Sequence, residues 1–179
     1  MNPIYLTMVM NRNLAAEQEG PFKLVYDEMR KFEDEFPQVI KNQGEANVGN
    51  EAIEYSVANL LYAAHTSDNY PEPPKYSRKD YLTATRAVSD VPCGRSGLIG
   101  VVIESFPQAV FCAEHLFFQN RTIARKLELP DADRPEYLKG AKAEDWVIPG
   151  ARVDHVRNLA IDIWRSEEQK GVSHADEDE

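Results

Sequence analysis

Apolar residues recur at helical spacing over four long stretches of this chain. The longest covers residues 105–129, where Ala109, Val110, Ala113, Leu116, Phe117, Ile123, Ala124 and Leu127 share one broad face and Phe111, Cys112 and Phe118 widen it. Ser105 with Gln108 three residues on has the capping-box pattern, Pro107 suits a first turn, and Pro130 blocks continuation. The spacing therefore predicts a helix apolar on most sides, around which the core is built. Phe22, Val25, Met29, Phe32 and Phe36 predict an amphipathic helix opened by Pro21 and ended by Pro37. A third helix is expected over about 51–65, with Asn50 as its cap and Ile53, Val57, Leu60, Leu61 and Ala64 on one face. The last is expected over about 152–165, with Val153, Val156, Leu159, Ala160, Ile163 and Trp164 turned inward. Ser77 and Asp80 start a shorter helix that stops before Pro92.

Three short runs read as strands by their β-branched and aromatic content: 4–10, 98–103 and 146–148. Residues 41–50, with two glycines and three asparagines, read as a loop, 70–76 as a proline-stiffened crossover, and 93–97 as a glycine turn. The expected fold is mainly α (α+β): four principal helices, the central apolar one among them, with a small two- or three-stranded sheet. One globular domain is expected over residues 1–166, followed by an acidic tail over 167–179.

Charge sharpens this reading. The chain has 179 residues and a net charge of −10, and from Glu167 onward there are six acids against one lysine. The body has mixed signs, which argues against direct nucleic-acid binding, since that needs a basic face. Acids dense enough for strong nucleic-acid mimicry are also lacking, so partial mimicry stands only as a third reading. Two cysteines, Cys93 and Cys112, lack CxxC spacing, which disfavours a zinc site or disulfide framework and points to a reducing, cytoplasmic setting. The apolar run at 4–10 is too short to span a bilayer. No motif implies a cofactor, a metal or a membrane.

Chemistry-bearing residues cluster in three places. Glu114 and His115 lie on the central helix, while His155, Asn158 and Asp162 share one face of the last helix and His65 and Asp68 end the third. If Glu114, His115, His155 and Asp162 converged, they would make a metal-assisted hydrolase, with the metal activating water and a carboxylate acting as base. The glycine turn at 93–97 could cradle an anion under Arg95, with Cys93 as a conceivable nucleophile. However, it lacks the P-loop lysine, and its arginine follows the cysteine by two residues where the cysteine phosphatases need six. The third cluster is a surface: Arg121 and Arg125 one turn apart, with Tyr70, Tyr76 and Tyr81 among prolines and charges, residue types that carry binding energy at interfaces.

The run Ala-Asn-Leu-Leu-Tyr-Ala-Ala at 58–64 faintly resembles the all-α nucleoside-triphosphate pyrophosphatases. That family holds Mg²⁺ with an ExxE and then an ExxD. Glu51-x-x-Glu54 supplies the first, but Ser77-x-x-Asp80 lacks a carboxylate of the second, so no family is assigned. The expected function is a non-enzymatic protein-interaction module, a small acidic regulator, inhibitor or assembly component with a protein partner. Its binding surface would join Tyr70, Tyr76 and Tyr81 to Arg121 and Arg125.

Overall fold

The computed structural model describes residues 20–46, 49–67 and 76–177. Helix α1 (Lys23–Glu35) and helix α2 (Pro37–Glu45) are separated only by Phe36. Pro37 ends the first and opens the second, because its fixed φ and missing N–H suit a first turn. Helix α3 (Gly49–His65) and helix α4 (Arg78–Ser89) follow, the latter capped as expected by reciprocal hydrogen bonds between Ser77 and Asp80. Helix α5 (Gly94–Ser105) leads into the central helix α6 (Gln108–Leu127). Two short 3₁₀ turns, Asp131–Asp133 and Glu136–Leu138, and the one-turn helix α7 (Ala143–Trp146) precede the long helix α8 (Gly150–Glu177).

Helix α6 forms the core as its spacing predicts. Ala109, Val110, Phe111, Cys112, Ala113, Leu116 and Ile123 are all buried. It packs against α3 on one side and α8 on the other. Both neighbours run antiparallel to it. Glu51 pairs with Lys126 and Asn59 with Glu114 along α3, while Phe106 meets Trp164 and Glu114 meets Arg157 along α8. Helix α1 is fixed to α8 by the two-pronged Arg152–Glu35 pair, at 2.6 and 2.9 Å, whose guanidinium also lies over the rings of Phe32 and Phe36.

The expected sheet is absent: the described residues contain no strand. The run at 98–103 is helical, inside α5. Leu98 and Ile99 pack against the core, Val102 and Phe106 are buried and Val101 is 54% exposed, a spacing of three and four rather than two. With no partner strand in the described residues, an extended run here would leave its peptide groups unpaired, whereas a helix pairs them locally. The run at 146–148 fails for a different reason. Trp146 closes α7, Val147 is extended at φ −132° and ψ 128°, and the edge of Ile148 is paired by a side chain instead of a strand. The run at 4–10 lies outside the described residues.

Other boundaries also move. Residues 41–45 belong to α2 rather than to a loop, and Ser105 ends α5 rather than capping α6, which has Pro107 at its cap position and no side-chain cap. The last helix continues through residues 166–177 instead of stopping at Arg165. The glycine turn is shorter than expected, because α5 begins at Gly94. Only glycine fits there: an added Cβ would lie 1.9 Å from the carbonyl oxygen of Val88. Cys93, just before it, holds a left-handed φ of 63°. Among the described residues, no helix is long and apolar enough to cross a membrane.

Candidate functional site

Helix α6 places a carboxyl group and an imidazole at adjacent positions in the interior. Glu114 has no exposed surface, and its carboxylate is divided between two neighbours. Arg157 of α8 donates Nε–H to Oε1 at 2.7 Å, and Asn59 of α3 donates Nδ2–H to Oε2 at 2.8 Å. Burial pushes the Glu114 carboxyl above its usual range, and the Arg157 charge, the Arg157 hydrogen bond and the Asn59 hydrogen bond oppose it. The Arg157 guanidinium also lies 4.5 Å from the Phe117 ring centroid, so its apolar face is covered as well. This triad ties α3, α6 and α8 together at one level of the bundle. A carboxylate sealed and occupied in this way meets no solute.

His115 faces elsewhere. It is fully buried, one turn from Phe111, whose ring stacks at 6.2 Å, and neither ring nitrogen has a hydrogen-bond partner. Burial pulls its pKa down to about 4, and the Gln119 side chain, whose amide N–H is given to the carbonyl of Gln43 at 2.8 Å, opposes the shift. His115 is therefore a neutral core residue at pH 7. The sign of the linkage follows: a ring titrating near 6.5 when unfolded and near 4 when folded favours unfolding as pH falls between those values. The shift amounts to about 2 kcal/mol of stability lost between pH 7 and pH 5. His115→Leu should remove that slope, as denaturant titrations at the two pH values would show. An unchanged slope would mean that the ring finds a partner for its proton.

The remaining residues of the hydrolase set do not join this pair. His155 and Asp162 are exposed on the outer face of α8, while Glu114 and His115 are sealed inside. No three His, Cys, Asp or Glu side chains among the described residues are grouped so as to hold a metal ion. Arg95 donates to the Ser89 hydroxyl at 3.2 Å, which secures the end of α4 to the start of α5.

The surface set is divided as well. Arg121 and Arg125 are exposed one turn apart near the end of α6, level with the start of α3. Tyr81 is half-buried at the start of α4, hydrogen-bonded to His65 Nδ1 and packed edge-on against Tyr62 at 5.8 Å. Tyr76, 64% exposed, lies just before α4, and Tyr70 falls outside the described residues. The Tyr81 and arginine levels are separated by about a dozen residues of α3, roughly 18 Å at the helical rise of about 1.5 Å per residue. They occupy opposite ends of the bundle. Arg121 borders a groove of about 380 Å³ between α6 and the start of α8, floored by Phe117, Val147 and Val153.

A set of side chains that hydrophobic spacing does not reveal organises residues 128–149. Asn120, buried on α6, accepts the Ile148 N–H and donates to the Ile148 carbonyl, both at 2.9 Å, as a neighbouring strand would. Gln43, buried on α2, donates to Asn120 Oδ1 at 2.9 Å and to the Trp146 carbonyl at 2.8 Å, and Asn42 donates to the Asp145 carbonyl at 2.9 Å. Arg134 donates to the carbonyls of Leu127, Leu129 and Ala141, and Asp131 accepts the N–H of Gly140. The polar run Asn42-Gln43 and the pair Gln119-Asn120 inside an apolar helix are its only trace in the sequence.

Comparison with protein-family models, with curated proteins and with solved structures finds no match to this chain.

Proposed function

We propose that this protein works as a protein-interaction module, a regulator, inhibitor or assembly component, docking through the end of the bundle that carries Arg121 and Arg125. The observation that supports the reading is the contrast in access. The acid and imidazole of α6 are sealed, whereas its two arginines are exposed and Arg121 borders an apolar-floored groove. Arginine beside a partly desolvated aromatic floor is the pairing that anchors interfaces, and the Arg121 guanidinium already lies 6.0 Å from the Phe117 ring centroid. The acidic residues from Glu167 onward would steer a basic region of the same partner by long-range attraction.

The test is co-purification from the protein's own cells, comparing wild type with Arg121→Glu/Arg125→Glu. Both arginines are exposed, so the variant should keep the wild-type unfolding temperature. Recovery of the specific partner should fall about tenfold or more, the scale set by truncating or opposing a charged anchor. Equal recovery with equal stability removes this face from the proposal.

A further inference from the structure

Residues 137–146 and helix α2 form a second groove, which shares no lining residue with the one beside Arg121. It is open along its length, has a volume of about 420 Å³, and is lined by Gln38, Asn42, Tyr137, Lys139, Lys142, Asp145 and Trp146. Tyr137 and Trp146 meet at a tilt with ring centroids 5.8 Å apart, which leaves Tyr137 36% exposed. Two lysines against one aspartate make the lining locally positive on a chain of net charge −10. Lys139 also touches Glu136 at 3.3 Å, but that acid is 91% exposed, so the contact is a solvated surface pair that a ligand can displace. Both walls are rigid for stated reasons. Gln38 donates to Asn42, Asn42 and Gln43 hold the Asp145 and Trp146 carbonyls, and Arg134 and Asp131 hold the opposite rim.

We infer that this groove docks an acidic extended segment of a protein partner, with an aromatic side chain of that segment against Trp146 and Tyr137 and its carboxylates at Lys139 and Lys142. An open trough suits a peptide, since small-molecule sites enclose most of their ligand. Tyrosine and tryptophan supply contact area at little entropic cost. A wall fixed in advance avoids the ordering cost that flexible loops incur on binding. The two lysines select the sign of the segment, while the net negative charge of the whole chain opposes association of two copies. The inference rests on the protein-interaction reading above but uses a different face.

The experiment is selection of displayed random dodecapeptides on the intact protein, with binding then followed by Trp146 fluorescence. The other tryptophan, Trp164, is buried against Phe106 and gives a constant background. Selected peptides should combine an excess of Asp and Glu with an aromatic residue and should change the fluorescence saturably. Lys139→Glu/Lys142→Glu should weaken them about tenfold or more without lowering the unfolding temperature. Four results would overturn the inference: selected peptides with no acidic excess, no selected binder at all, affinity unchanged by the lysine reversals, or saturable quenching by adenosine monophosphate but by no peptide. Concentration-dependent dimerisation abolished by the same reversals would assign the groove to a second copy of this chain and overturn it as well. If the peptides fail while co-purification still depends on Arg121 and Arg125, only the groove falls. If that dependence also fails, the interaction reading falls with it.

Discussion

Asn120→Ala is expected to destabilise the protein by about 4 kcal/mol, the largest single loss proposed for this chain. The side chain removed is small, and the cost lies in what it leaves behind. The N–H and carbonyl of Ile148 both lose their partner, and one Gln43 amide hydrogen loses its acceptor, all in buried surroundings. Each buried polar group left unpaired costs about 1–3 kcal/mol, and the site is largely closed to solvent, with Asn120 4% exposed and Ile148 without exposed surface. At about 2–4 °C per kcal/mol for a chain of this size, the unfolding temperature should drop by about 12 °C. Urea titration and thermal unfolding measure both quantities. A loss under about 1 kcal/mol would show that residues 128–149 hold their shape without this anchor.

Arg157→Ala should cost about 2–3 kcal/mol at pH 7, because it leaves the Glu114 carboxylate buried with only Asn59 as a donor. The figure lies at the low end for buried pairs because the Arg157 side chain retains 21% exposure. Glu114 then titrates higher than in the wild type, since burial continues to raise its pKa and the opposing charge is gone. A carboxyl whose folded pKa is raised penalises folding above that pKa and ceases to do so below its unfolded value. The variant's deficit should therefore shrink as pH falls toward the ordinary carboxylate range. Glu114→Gln in the Arg157→Ala background should recover most of the loss at pH 7, because a neutral amide can still accept from Asn59. A double variant no more stable than Arg157→Ala would show that the arginine acts through its packing on Phe117 rather than through charge.

The helices were legible where apolar spacing and proline agreed. The α1 stripe of Val25, Met29 and Phe32, the proline that ends it, and the Ser77–Asp80 cap all appear in the structure as their chemistry predicts. Residues 98–103 misled because β-branched runs of that length suit a buried strand and a buried helix equally well. Only the three- and four-residue spacing through Leu98, Ile99, Val102 and Phe106 separates them, and it is visible only if the run is extended past Ser105. Residues 41–45 misled because polar composition suggests a loop, yet Gln43 is polar and 3% exposed. Its amide is spent on partners 77 and 103 residues away. An acid and a histidine inside an apolar helix were legible as an oddity, but that Arg157, 43 residues on, closes over one of them was not. Local pattern reports which groups are polar, whereas long-range geometry decides which are satisfied.

The stretch from 128 to 149 owes its order to borrowed hydrogen bonds. Its own backbone, with Arg134 and Asp131, supplies short turns, and the fixings to the rest of the fold come from α2 and α6, two of them across 103 residues of chain. Such a segment has no independent stability, and closures that long form late in folding. Its amide hydrogens should then exchange with solvent as one cooperative unit with the separation of α2 from α6. Deuterium uptake at Ile148, the one residue held on both sides by Asn120, would therefore report whether the whole helical assembly is closed at that moment.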